Sequence, residues 1–273
     1  MEAVVAACRS ALAKQGTVIV LTGAGVSAES GIPTFRGKEG YWTIGAREYQ
    51  PQELASHAAF SEMPWDVWAW YLYRRGVCRA ASPNDAHYAI ARWDDAFKSQ
   101  NDRFALITQN VDGLHRRAGS PPSRTYAIHG DIDLMRCSVE CVANLWPVPP
   151  GVPALAKGEP VSEAARGLLV CPRCGEMARP HVLWFDEAYD EPRYRLDTVR
   201  DLAAAACLVV VAGSSAQTNL PWQVVMLAAR NGATIVDVNI EDNPFSEVAA
   251  QSGGAIRDSA ATALPLLVDQ LSR

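Results

Sequence analysis

Thr22-Gly23-Ala24-Gly25-Val26-Ser27-Ala28 follows an apolar run, Thr17–Leu21. A buried strand that empties into a glycine-rich turn lets an anion approach the backbone, and a following helix offers N–H donors. Gly23-x-Gly25-x-x-Ala28 fits the Gly/Ala form of a dinucleotide fingerprint, with a purely structural turn as the alternative. A second polar group, Gln109-Asn110-Val111-Asp112, follows the run Phe104–Thr108. Two amides and a carboxylate can pair with an amide-bearing ring, because amides donate and accept while a carboxylate accepts. Helix capping by Asn110 or Asp112 is the other reading. His129 stands between the short apolar run Tyr126-Ala127-Ile128 and Gly130. An imidazole titrates near neutrality and suits general-base work, although a lone histidine is more often structural. His57, His87, His115 and His181 are read as structural or surface residues.

Cysteines form the other reactive set. Cys137-x-x-x-Cys141 and Cys171-Pro172-Arg173-Cys174-Gly175 are two close pairs, and Cys8, Cys78 and Cys207 are scattered in apolar contexts. Two short-spaced thiol pairs suit a tetrahedral structural zinc, with a redox pair as the alternative. Four protein ligands leave no open position, so such a metal holds structure and does no chemistry. The three scattered thiols read as buried apolar groups.

The elements that must position these residues alternate. Strand-like runs occur at Thr17–Leu21, Phe104–Thr108, Leu208–Ala212 and Thr234–Ile240, and helical patterns at Thr198–Ala206 and Pro221–Arg230. This pattern predicts an α/β fold: a Rossmann-like parallel sheet with helices on both faces and ligands at the strand C-termini. Two segments break the rhythm, a Trp- and Tyr-rich helical stretch at 48–80 and the cysteine-bearing stretch at 137–175. The expected organisation is a discontinuous nucleotide-binding domain of residues 1–47, 86–134 and 178–273. A helical insertion, 48–85, and a zinc-ribbon insertion, 135–177, would form a smaller domain.

The chain has 273 residues, 49% of them hydrophobic, with a net charge of −5. That suffices for a sizeable core and argues against a dedicated nucleic-acid binder. No apolar run reaches membrane-spanning length, and Met1–Gln15 reads as an amphipathic helix without the pattern of a signal peptide. A cytoplasmic protein is expected, with its oligomeric state open and a monomer plausible.

Together these residues resemble the sirtuins, NAD-dependent protein lysine deacylases. The resemblance runs through Gly23-Ala24-Gly25-x-Ser27-x-x-Ser30-Gly31-Ile32-Pro33-x-Phe35-Arg36, Thr108-Gln109-Asn110-x-Asp112-x-Leu114-His115 and His129-Gly130. It continues through the cysteine pairs, His181–Phe185, Gly213-Ser214-Ser215 and Val238-Asn239-Ile240-Glu241. It implies NAD as a consumed co-substrate, one structural zinc and acylated lysines of proteins as partners. Gly23, Ala24, Gly25, Ser27, Ile32, Phe35 and Arg36 would line the cofactor loop. Gln109, Asn110 and Asp112 would hold nicotinamide and its ribose. Gly213, Ser214 and Ser215 would meet phosphates and ribose, and Asn239, Glu241 and Ala260 the adenosine end. His129 would be the general base, with Asn110 and Asp112 beside it in catalysis. Val182, Trp184 and Phe185 would clamp the substrate peptide by strand addition. The acyl oxygen would attack the ribose carbon as nicotinamide leaves, and a ribose hydroxyl deprotonated by His129 would then attack the resulting imidate.

Tyr71 and Arg74, three apart in Trp68–Arg75, share a helical face. With small Ala55 upstream they resemble the acyl pocket of class III sirtuins, which implies a preference for succinyl, malonyl or glutaryl lysine. Arginine pairs bidentately with a carboxylate and tyrosine donates to it, whereas taken alone the pair reads as a core aromatic and a surface charge. Two positions depart from the family pattern. Asp186 stands where glycine is usual, which predicts a negative charge at the peptide groove favouring basic flanking residues. Arg257-Asp258-Ser259-Ala260 replaces a glycine-containing turn on the adenine side.

Overall fold

The computed structural model describes residues 1–33, 42–44, 47–98 and 103–272. In chain order the first half contains α1 (Glu2–Leu12), β1 (Thr17–Thr22), α2 (Gly25–Ala28), β2 (Trp42–Ile44), β3 (Arg47–Tyr49), α3 (Pro51–Leu54), α4 (His57–Glu62), α5 (Pro64–Ala80), α6 (Asp85–Asp95) and β4 (Phe104–Thr108). Then come α7 (Leu114–Arg117), β5 (Thr125–Ala127), β6 (Gly130–Cys137), β7 (Trp146–Pro147), α8 (Glu163–Leu168), β8 (Ala178–Val182), α9 (Glu191–Tyr194) and α10 (Leu196–Ala204). The chain closes with β9 (Ala206–Ala212), α11 (Asn219–Arg230), β10 (Thr234–Val238), α12 (Pro244–Ala249), β11 (Gly254–Ile256) and α13 (Ala260–Leu271).

Six strands form one parallel sheet in the order β11-β10-β9-β1-β4-β5. The continuous apolar runs explain its burial on both faces. Val18 and Val20 of β1 join Leu208, Val210 and Ala212 of β9 in one core cluster. The intervening Ile19, Leu21, Val209 and Val211 fill a second cluster on the opposite face. Two-residue alternation thus feeds two helical layers. The chain moves outward from β1 through β4 to β5, then returns to the other side of β1 at β9. The strand order reverses between β1 and β9, which is where doubly wound sheets open a crevice.

A three-stranded antiparallel sheet, β7-β6-β8, and helices α3–α5 enclose a third apolar cluster. Trp68, Trp184 and Leu72 are buried there. The Trp68 indole N–H donates to the Ala178 carbonyl at 2.9 Å, which fixes α5 to β8.

Some expected boundaries change. The expected strand His181–Phe185 is instead Ala178–Val182. Pairing with β6 ends at Val182, and the Trp184 N–H turns to the Glu187 carboxylate. The run from Thr234 ends at Val238, and α10 stops at Ala204 so that Ala206 opens β9. The segment read as helical from residue 48 begins inside β3.

Candidate functional site

The strand ends converge through backbone hydrogen bonds. Gly23 N–H donates to the Ala212 carbonyl, Gly25 N–H to Gly213, Gly213 N–H to Val238 and Gln109 N–H to Thr22. A Cβ on Gly25 would lie 2.7 Å from Gly213 Cα, and one on Gly23 would lie 2.6 Å from the Gly213 carbonyl oxygen. Gly213 itself has φ +58°. The glycines therefore let two turns pack backbone against backbone at the switch point. The Gly23 and Gly25 N–H groups are engaged by the Ala212 and Gly213 carbonyls. Ala24 caps the four-residue helix α2, and Ile32 is buried against the α3–α5 cluster. Phe35 and Arg36 lie outside the described residues.

Ser27 is the hub of the polar cluster. Its hydroxyl donates to Asp112 Oδ2 at 2.7 Å and accepts from Asn110 Nδ2 at 3.1 Å. Asn110 Nδ2 also reaches the Gly23 carbonyl at 3.0 Å. Asp112 Oδ1 caps α7 through Leu114 N–H at 2.8 Å, so the capping reading is correct for one of its oxygens. Burial pushes the Asp112 carboxyl above the usual carboxylate range, against the hydrogen bonds from Leu114 and Ser27. Gln109 Nε2 donates to Ser214 Oγ at 2.8 Å, and its Oε1 accepts from Thr218 at 2.8 Å. Asn239 Nδ2 donates to the Ser214 carbonyl at 2.8 Å. Gln109, Asn110, Asp112, Ser214 and Asn239 are thus brought together across three strand ends, with half-buried Ser215 beside them. Glu241 is exposed farther out, and Ala260 is buried in the first core cluster at the start of α13.

His129 is held from two sides. Its Nδ1 lies 3.1 Å from the Gln109 carbonyl oxygen, and its Nε2 lies 2.8 Å from the Tyr189 hydroxyl. Burial lowers its pKa from 6.5 to about 4, so the ring is neutral at physiological pH. Gly130, at φ +88°, lets the chain pass β8 where a Cβ would meet the His181 carbonyl oxygen at 2.2 Å.

Sequence reasoning missed a buried layer behind these groups. Thr22 and Thr108 face each other in register and share a 2.8 Å hydrogen bond. Thr22 Oγ1 also meets His115 Nε2 at 3.0 Å, and the rings of His115 and His87 lie 4.7 Å apart. Burial lowers both imidazole pKa values, His87 to about 4. The available signal was a threonine closing the run Phe104–Thr108 and another directly after Thr17–Leu21. Tyr189 had no comparable signal.

On the peptide side, Phe185 is 58% exposed, whereas Trp184 and Val182 are buried. Trp184 is therefore part of the wall and not of its surface. It is clamped between Phe60, at 5.2 Å, and the Arg179 guanidinium, at 3.3 Å. Its indole N–H donates to the Tyr71 hydroxyl at 3.0 Å. Tyr71 is buried as a core aromatic would be, yet its own proton remains to donate. Arg74, half-buried, lies over the Trp70 ring at 5.3 Å, and desolvation pulls its pKa down. Neighbouring Arg75 pairs with Asp133 at 2.7 Å. Ala55 is buried and its carbonyl accepts Phe185 N–H at 2.9 Å. The exposed Asp186 carboxylate accepts His57 N–H at 2.7 Å and Ala58 N–H at 3.2 Å, so its charge is also engaged by the start of α4.

Cys137, Cys141, Cys171 and Cys174 converge with all four sulfurs within 4.8 Å of one another. The Cys137–Cys174 and Cys141–Cys171 sulfurs are 3.7 and 3.6 Å apart. Zinc–sulfur bonds of about 2.3 Å in a tetrahedron place sulfurs about 3.8 Å apart, so the quartet fits a structural zinc. Gly175, at φ +79°, closes the turn that aims Cys171 and Cys174 at one point. Among the described residues, no helix is long and apolar enough to cross a membrane.

A parallel sheet with amides, a carboxylate and an imidazole at its switch point, beside a four-thiolate knuckle, defines a dinucleotide-binding α/β protein with a metal-stabilised appendage. The Sir2 family model matches residues 23–219. The NAD-dependent protein deacylase of Aquifex aeolicus is 35% identical over 254 residues, 93% of this chain and 95% of that protein. A crystal structure of a Sir2 homologue–NAD complex superposes with a TM-score of 0.78 at 33% identity, covering 97% of this chain and 93% of the other. A variant Sir2 homologue in complex with 2′-O-acetyl ADP-ribose gives 0.76 at 33% identity, over 97% and 95%. The chain belongs to the Sir2 family.

Proposed function

We propose that this protein removes acyl groups from lysine side chains of proteins with NAD as co-substrate, and that it favours acyl groups ending in a carboxylate. The products are nicotinamide, free lysine and O-acyl-ADP-ribose. The relatives' deacylase activity and the NAD and acetyl-ADP-ribose complexes of the structural neighbours support the reaction class. The strand-end cluster supports the division of labour. Gln109, Asn110 and Asp112, the last two fixed through Ser27, hold nicotinamide and its ribose, while Ser214 and Asn239 follow the rest of the dinucleotide. His129 takes a ribose hydroxyl proton on Nε2, the ring nitrogen that does not face the Gln109 carbonyl. Holding both reactants in line supplies much of the rate. In this reading, residues 1–47, 86–134 and 178–273 form the cofactor unit, and 48–85 with 135–177 the unit that meets the acyl group.

One observation carries the acyl preference: the Tyr71 hydroxyl is pinned by Trp184 one helical turn from Arg74, in the cluster that also holds small Ala55. A donor hydroxyl and a guanidinium at this spacing match a distal carboxylate. Mass spectrometry of NAD reactions with malonyl-, succinyl-, glutaryl- and acetyl-lysine peptides tests both parts. Faster turnover of the acidic acyl peptides is expected. Equal turnover of the acetyl peptide defeats the preference, and NAD cleavage with no peptide-dependent product points instead to a hydrolase or ADP-ribosyl transferase.

A further inference from the structure

The environment of His129 settles its proton. A carbonyl oxygen only accepts, so the 3.1 Å contact to Gln109 requires the proton on Nδ1. Nε2 then carries a lone pair, and the Tyr189 O–H, 2.8 Å away, donates to it. Burial raises the tyrosine pKa, so it keeps its proton. Its ring is fixed edge-on to Tyr194 at 6.4 Å, and Tyr194 stacks on His181 at 5.7 Å.

We propose that Tyr189 is a positioning residue for the base: its hydroxyl holds His129 in the Nδ1–H tautomer with Nε2 unprotonated, and it yields that lone pair to the ribose hydroxyl when NAD binds. The inference rests on the general-base reading of His129. A single Nε2 lone pair serves one donor at a time, so the tyrosine hydroxyl occupies the place that the reacting hydroxyl must take. With the O–H turned to Nε2 the bond favours the neutral ring, because an imidazolium could meet the hydroxyl oxygen only after that O–H turned away; in this orientation the bond lowers the histidine pKa. Removing the hydroxyl raises it. Among the described residues, the charged groups next along the chain and on β8 are engaged elsewhere. Gln109 is neutral, Asp131 on β6 is paired with Arg116 at 2.8 Å, and Asp190 and Arg193 are paired with each other at 3.0 Å. His181 on β8 is kept neutral by burial and by Arg136, Arg179 and Arg193.

The test is Tyr189→Phe, which keeps the ring. Two quantities are read: the histidine ring nitrogen shifts by NMR against pH, and the acid limb of kcat/KM for NAD at saturating acyl peptide. Both should move to higher pH by about half to one unit, the size of one neutral hydrogen bond. A ring titration and acid limb that stay in place overturn the proposal even if the rate falls, since a packing defect costs rate without moving either. The unsubstituted protein offers a check that needs no variant: its ring spectra should show Nδ1 protonated and Nε2 bare, and the opposite tautomer overturns the proposal. If His129→Ala leaves deacylation intact, the general-base reading fails, while the NMR titration still decides whether Tyr189 holds the ring.

Discussion

In the four-cysteine corner, sulfurs from the end of β6, from Cys141 just beyond it and from the Cys171–Gly175 turn converge. At the switch point, side chains from the ends of β1, β4, β9 and β10 are each fixed by a neighbour: Asp112 by Ser27, Gln109 by Ser214 and Thr218, Asn239 by Ser214. The first site gets its geometry from a metal and two short turns. The second gets it from the sheet, and its polar groups satisfy one another before any ligand arrives. Damage to the first should therefore show as lost stability, and damage to the second as lost rate or selectivity.

The largest effect should follow loss of the metal. Structural zinc contributes on the order of 10 kcal/mol to small zinc-dependent folds. Cys171→Ser should lower bound zinc and the melting temperature together, and an unchanged metal content would dissolve the contrast. His129→Ala should leave bound zinc unchanged and reduce NAD-dependent deacylation by roughly a hundredfold or more, as loss of a general base does. Arg74→Met should cut desuccinylation by roughly ten- to a hundredfold relative to deacetylation, the worth of charge-assisted hydrogen bonds to a carboxylate. Equal loss on both substrates would move Arg74 to the structural side of the comparison. The smallest effect belongs to Asp186→Ala, which removes a helix cap and should cost about 1 kcal/mol in urea unfolding. A change in preference for basic flanking residues would place Asp186 at the peptide groove as well.

The sheet was legible because its strands are continuous apolar runs that end on polar residues, and Thr17–Leu21 and Phe104–Thr108 match β1 and β4 within a residue. The cysteine corner was legible from spacing alone, because two short turns determine where four sulfurs point. Other features depended on partners distant in the chain. The contact of Asp186 with α4 was hidden because nothing nearby in sequence shows that the start of α4 lies against it. Trp184 looked like peptide surface because its burial depends on Phe60, Tyr71 and Arg179. The short antiparallel strands β6–β8 lack a strong alternating pattern because they carry Arg136, Arg179 and His181 into buried positions. Tyr189 was invisible because a tyrosine in a polar loop gains its meaning only from the imidazole it reaches.

The contact between the first turn and Gly213 limits how the site can change. A methyl group at Gly213 would lie 2.5 Å from the Val26 nitrogen and 2.7 Å from the Gly25 carbonyl carbon. The obstacle is the main chain of Gly25–Val26, so no smaller side chain elsewhere can make room. A suppressor screen on Gly213→Ala should therefore recover reversions or rebuilt turns, and not second-site substitutions. The routes by which this crevice can diversify run through its outer residues, and the junction of its two turns is closed to gradual change.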